Sequence, residues 1–335
     1  MHNKTIPWEN IIISGHVLSS EKDKISKSQS NSTIEPENLL KLYPADTIRF
    51  WTASGTLGQD TAFSETQLKI GNKLLTKLWN AFRFIEPHCV RINTQEKPQV
   101  EKLASINKWL LHNMSICFAQ YQEYFEKQEY NLALATIERF FWEDFCDNYL
   151  EIIKDQFFNS EKYNPELVTQ TTEVLSHVGL RILQLFAPYL PHITETLYHQ
   201  IYYEKIDKNI RASSIHLTLF TDIQTLHSFP EALESSLLLL KIIAAIRRMK
   251  TAKQLSLKTP LSSLILHSVK QESLKALVCH EQLLKGITQA EIITYTTGDL
   301  PESILVLTNN LWSAALDLDH LDSPVESPEK PSVSV

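Results

Sequence analysis

Apolar side chains recur at helical spacing through most of the chain. From Ser64 onward, Leu68, Leu75, Leu78 and Phe82 follow one another at intervals of seven, three and four residues, which predicts an amphipathic helix ending near Ile85. Residues 96–126 predict a second helix, with Leu103, Ile106, Trp109, Leu110, Ile116 and Phe118 as its apolar set. Residues 131–158 predict a third, with Leu134, Ile137, Phe141, Phe145, Leu150 and Ile153, and 165–188 and 191–204 a fourth and fifth. Long helices in succession with short polar joints predict an antiparallel bundle.

The pattern differs at both ends. Ile11, Ile12 and Ile13 run into Ser14-Gly15-His16, which predicts a short buried strand. Residues 19–33 (SSEKDKISKSQSNST) read as a polar loop. Pro36, acceptable in a first helical turn, opens two short helices separated by Tyr43-Pro44. Beyond residue 228, a helix at Leu237–Lys253 precedes strands at Leu261–Val269 and Glu291–Tyr295, with a helix at 271–286 between them and a third strand at 303–307. The Pro/Ser-rich stretch 322–335 predicts disorder. The expected fold is mainly α. An N-terminal remnant (1–35) and a helical linker (36–65) lead into a helix bundle (66–228), which is followed by a small α/β unit (229–308) and a tail (309–335).

Composition narrows the chemistry. Only 7 of 335 residues are glycine, which argues against a phosphate-cradling glycine loop. The four cysteines form no C-x-x-C pair, so no metal site is expected and a reducing cytoplasm is. No apolar run reaches the roughly 20 residues of a membrane span. The net charge of −7 means that any nucleic-acid surface has to be local. Between Ser235 and Lys270 there is no acid and there are seven bases, among them Arg247, Arg248 and Lys250, which predicts a basic face on the helix.

Residues 24–28, Lys-Ile-Ser-Lys-Ser, carry the chemistry. Two ammonium groups on a pliable loop can close over a triphosphate and stabilise charge on departing pyrophosphate. The string stands between Ile13-Ser14-Gly15-His16 and the pair Glu35-Pro36-Glu37-Asn38-Leu39-Leu40 and Tyr43-Pro44-Ala45-Asp46-Thr47-Ile48-Arg49-Phe50. In this order it resembles the second signature of the class I aminoacyl-tRNA synthetases. Several further stretches are similar to the valyl branch: Leu57-Gly58-Gln59-Asp60, Leu75-Thr76-Lys77-Leu78-Trp79-Asn80-Ala81, Phe140 through Glu151, Pro188 through Glu195, and Ser214-Ile215-His216-Leu217. The likeness spans roughly residues 7–270. The chain departs from it at Ile25, where the family has Met, and at Ser30 and Pro44, where the family has Gly. No His-x-Gly-His first signature occurs.

The resemblance implies a vestigial Rossmann strand and a class I anticodon-binding bundle. It implies catalytic roles for Lys24 and Lys27, and ATP contacts, with Mg2+ accompanying the nucleotide, from Lys24, Ser26, Lys27 and Ser28. For tRNA it implies Asn80, Arg83 and a base-stacking Phe84, to which the basic helix adds Arg247, Arg248 and Lys250. The implied activity is a share in ATP-dependent attachment of valine to its tRNA. The partners would be that tRNA and a further polypeptide with the rest of the catalytic domain, with no role for membrane or DNA. Without the first signature, no adenylate formation is expected from these residues alone. The alternatives are a stand-alone tRNA-binding module or an inactive fragment. The aromatic residues from Trp142 to Tyr149, Trp79 and Phe82 are expected in the core, and His192 is expected to be a structural histidine.

Overall fold

The computed structural model describes residues 8, 11–19, 36–92, 102–219, 229–298, 303–308 and 311–321. Lys24, Ser26, Lys27 and Ser28, and the stretch 322–335, lie outside them. Two compact units are present, the first built from residues 1–98, 113–142 and 172–226, the second from 99–112, 143–171 and 227–335. Among the described residues, no helix is long and apolar enough to cross a membrane.

The first unit begins differently from expectation. Ile11–Ile13 form no strand and are solvent-exposed. The strand is β1, Val17–Leu18, two residues that pair in parallel with β2, Thr61–Ala62. Three isoleucines in a row satisfy a buried strand only where neighbours cover both faces, and among the described residues none pair with them. Helices α1 (Pro36–Leu42) and α2 (Ala45–Ala53) flank Tyr43-Pro44, and α3 runs from Glu65 to Ile85. Ser64 caps α3 by accepting from the Gln67 amide, as its Ser-x-x-Gln spacing suggests. Leu39, Trp51 and Leu68 bury a small cluster that ties α1, α2 and α3 together.

The predicted long helices are present. They are α4 (Ser105–Glu126), α5 (Tyr130–Arg139), α6 (Glu151–Phe158), α7 (Pro165–Phe186) and α8 (Pro191–Leu197). Between α5 and α6, Phe140–Leu150 winds as a π-helix, and Tyr198–Tyr202 after α8 does the same. At about 4.4 residues per π-turn, Phe141, Phe145 and Tyr149 fall on one side, and all three are fully buried. The aromatic motif is therefore largely core, although Trp142 keeps part of its ring accessible, with the Lys77 ammonium 5.0 Å from the ring centre. Gly179 allows close packing in the first unit, since a Cβ there would meet the Tyr202 hydroxyl at 2.3 Å.

The second unit holds α9 (Pro230–Ala252) and a four-stranded sheet of order β4-β3-β6-β5. Strand β3 (Leu261–Ser268) is parallel to both β4 (Ala290–Thr297) and β6 (Leu311–Asp317), and β5 (Ile304–Thr308) is antiparallel to β6. The stretch between β3 and β4 is two helices, α10 (Gln271–Val278) and α11 (Glu281–Thr288), and not one. Residues 311–317, expected in a tail, form an inner strand of the sheet, with Ala314 and Leu316 buried. Gly286 brings α11 against α6, because a Cβ there would lie 2.7 Å from Asp155 Cβ and from the Tyr163 hydroxyl.

Candidate nucleic-acid interface

Helix α3 presents one solvent-facing stripe, Thr76, Trp79, Asn80 and Arg83, at i, i+3, i+4 and i+7. Asn80 and Arg83 are thus exposed as expected. Phe84 is half-buried and lies tilted against His88, ring centres 5.4 Å apart. Burial lowers the His88 pKa, so the imidazole beside Phe84 is held towards its neutral form.

Trp79, expected in the core, is placed differently by the structure. Phe82 is fully buried, but the Trp79 indole keeps 37% of its surface exposed. It lines a groove of about 610 Å³ with Leu75 and Thr76 of α3, Pro44, Ala45 and Asp46 at the start of α2, and His192, Ile193 and Thr196 of α8. Trp79 is four residues from Leu75 and three from Thr76, so it stands at the edge of the apolar stripe, where the helical period alone does not decide exposure. The His192 ring is exposed on the same groove, while its backbone amide donates to Asp46.

The family-like motifs meet at one corner. Asp46, 3% exposed, accepts from the amides of His192 at 3.3 Å and Ile193 at 2.8 Å, capping α8. Arg49, one helical turn later, donates from Nη2 to the Pro188 carbonyl at 2.9 Å and from Nε to the Tyr189 carbonyl at 3.2 Å. Glu195 accepts from the Ile215 amide at 2.9 Å and the Ser214 hydroxyl at 3.0 Å. Burial alone would raise the Glu195 carboxyl, but these bonds and nearby His199 outweigh it and hold the group below its ordinary value. Ala45-Asp46-x-x-Arg49, Pro188 through Glu195 and Ser214 through Leu217 are therefore parts of one hydrogen-bonded joint.

The basic face expected on α9 does not exist as drawn. Lys250 is 1% exposed, and its ammonium donates to the carbonyls of Leu257 at 3.0 Å, Thr259 at 2.8 Å and Thr288 at 3.0 Å. Ile243 and Ile246 precede it on the inner stripe of α9, so helical geometry turns it inward. Burial pushes its pKa down to about 8. Three acceptors still call for three protons, so the group serves them as an ammonium near neutral pH. Arg248 is exposed and donates to the Leu321 carbonyl at 2.9 Å, and half-exposed Arg247 donates to the Asp147 carbonyl at 3.3 Å. With Lys241 and Lys253 also exposed, the cations of α9 form a broken stripe and no continuous face. Among the described residues, no group of three His, Cys, Asp or Glu side chains could hold a metal ion.

Comparison with known proteins fits this arrangement. Residues 1–64 match the model of class I tRNA synthetases (I, L, M and V), and residues 107–265 match the anticodon-binding domain of tRNA ligase. Valine–tRNA ligases of Rickettsia canadensis and Ehrlichia canis are each 34% identical, over 89% and 91% of this chain respectively and 36% of their own. That of Anaplasma marginale is 35% identical over 84% of this chain and 33% of its own. The chain thus spans about a third of the length of these relatives. A leucyl synthetase in a ternary complex with tRNA, from Agrobacterium radiobacter K84, aligns over 90% of this chain and 32% of its own, with a TM-score of 0.39 and 13% identity. With a class I synthetase match followed by an anticodon-binding match along one chain, and valyl relatives covering most of it, the chain belongs to the class I aminoacyl-tRNA synthetase family.

Proposed function

We propose that the chain binds the tRNA that accepts valine and contributes a phosphate-binding loop to its ATP-dependent charging. The observation that carries the reading is the stripe of Trp79, Asn80 and Arg83 on α3, with the His192 ring across the groove. An open aromatic face beside an amide and a guanidinium suits an unstacked base and its phosphate. Lys24 and Lys27, with Ser26 and Ser28, are proposed to neutralise the phosphates of the substrate ATP and its accompanying Mg2+. Adenylate formation is proposed to need groups that these 335 residues do not hold, since no His-x-Gly-His string is among them. A further catalytic polypeptide segment is the proposed partner.

Filter binding with valine tRNA against a non-cognate tRNA tests the reading. The expected result is tighter binding of valine tRNA, weakened about tenfold by Trp79→Ala and less by Trp79→Phe, because a phenyl ring still stacks. Arg83→Ala is expected to lower the salt dependence by about one phosphate contact. Equal binding of both tRNAs with no effect of Trp79→Ala would overturn it. Pyrophosphate exchange with valine and ATP is expected to be absent, and clear exchange would remove the need for a further catalytic segment.

A further inference from the structure

Asp46 and Arg49 lie in the stretch that matches the class I synthetase model, whereas the helix ends they hold, at Pro188–Ile193, lie in the stretch that matches the anticodon-binding model. Within one turn of α2, a carboxylate satisfies the first free amides of α8 and a guanidinium satisfies the last free carbonyls after α7. A helix corner leaves free donors at one end and free acceptors at the other. A pair spaced i, i+3 with opposite charges, acidic residue first, meets both requirements at once.

The same helix anchors everything around it in the synthetase-like part. Trp51 of α2 packs with Leu39 of α1 and Leu68 of α3. Strand β1 is held by β2, which follows α2: the Thr61 amide donates to the His16 carbonyl and the Phe63 amide to the Leu18 carbonyl, both at 2.9 Å. Gly15 packs so close to the Gln59 carbonyl that a Cβ would lie 2.0 Å from its oxygen. Orientation imposed on α2 is thereby imposed on α1 and β1.

We propose that Asp46 and Arg49 are positioning residues that set the synthetase-like part, β1, α1 and α2 together, in a fixed orientation on the α7–α8 corner. The purpose of the joint rests on the reading that both parts serve one charging reaction, but its existence is decided without RNA or nucleotide. The two-ended arrangement separates it from an ordinary helix cap. A cap protects only the amides it accepts from. A positioning pair also protects the elements carried by its own helix.

Amide hydrogen exchange on the full chain decides between these. Asp46→Ala is expected to speed exchange about tenfold at His192 and Ile193, the size expected for a lost acidic cap, and by a similar factor at Val17, Leu18 and across α1. Strand β3 is expected to keep its wild-type rates. Asp46→Asn retains one acceptor oxygen and is expected to restore part of the protection at both places together. Arg49→Lys is expected to restore part of what Arg49→Met loses. Faster exchange confined to His192 and Ile193, with β1 and α1 at wild-type rates, would reduce Asp46 to a cap and overturn the proposal. Should Asp46→Ala fail to fold, Asp46→Asn gives the same decision by the same comparison. Failure of tRNA binding in the filter assay would sink the proposed function and leave this result standing.

Discussion

Asp46 in the first unit and Lys250 in the second are both buried against backbone, and the two are so with opposite chemistry. In the first, Asp46 takes two amides at the start of α8. In the second, Lys250 gives its protons to three carbonyls, two in the turn after α9 and one at the end of α11. Asp46 uses the positive end of a helix, where free amides and the macrodipole both favour an anion. Among the described residues, Lys250 is met by peptide carbonyls and by no carboxylate, so its desolvation is less well offset. The Asp46 arrangement joins residues 146 and 147 positions apart, but only two elements, α2 and α8, need to meet for it. That of Lys250 spans at most 38 positions and draws on α9, the turn after it and the end of α11.

The sharpest break of this comparison is Lys250→Met. Three inward-facing carbonyls would lose their donor, and a loss of about 3 kcal/mol in urea unfolding is expected, well above the cap. A loss no larger than that of Asp46→Ala would mean that the carbonyls find water and the contrast is false. Gly286→Ala comes next. Its methyl would force α11 away from Asp155 and Tyr163, two residues before the Thr288 carbonyl, with about 2 kcal/mol expected by the same measurement. Asp46→Ala follows at about 1 kcal/mol, the usual size of a lost acidic cap.

The most specific effect is a pH dependence. The Lys250 pKa falls from its ordinary 10.5 to about 8 in the folded chain, by burial. Between those values the unfolded chain binds more protons than the folded one, so stability rises with pH across that window. Wild type minus Lys250→Met, followed by urea unfolding from pH 7 to 10, is expected to gain about 2 kcal/mol, nearly all of it above pH 8. A flat difference would show the ammonium to be well solvated by its carbonyls.

How legible each region was follows from the range of the forces that shape it. The helices of the bundle were readable because burial of one face imposes a 3.6-residue period, as at Leu75, Leu78 and Phe82. Trp79 and Lys250 were both misplaced for the same reason: a residue type was allowed to outweigh its angular position. Tryptophan suggested core and lysine suggested surface, but one sits at the edge of the apolar stripe of α3 and the other on that of α9. The Ile11–Ile13 strand failed because a strand is stable only with neighbours, and β1 formed at Val17–Leu18, where Thr61–Ala62 could pair with it. Residues 311–317 were missed because their partners on β3 lie about fifty positions away, at Ser263–His267.

The order of the motifs and the helical character of the middle of the chain were set by the sequence itself, since local periodicity and residue type encode them. Tertiary structure alone decided that Asp46 and Arg49 serve the α7–α8 corner, that Trp79 opens onto a groove, and that Lys250 is enclosed. Hydrogen-bond partners and solvent exposure depend on which distant segments arrive at the same place, and no local pattern carries that information.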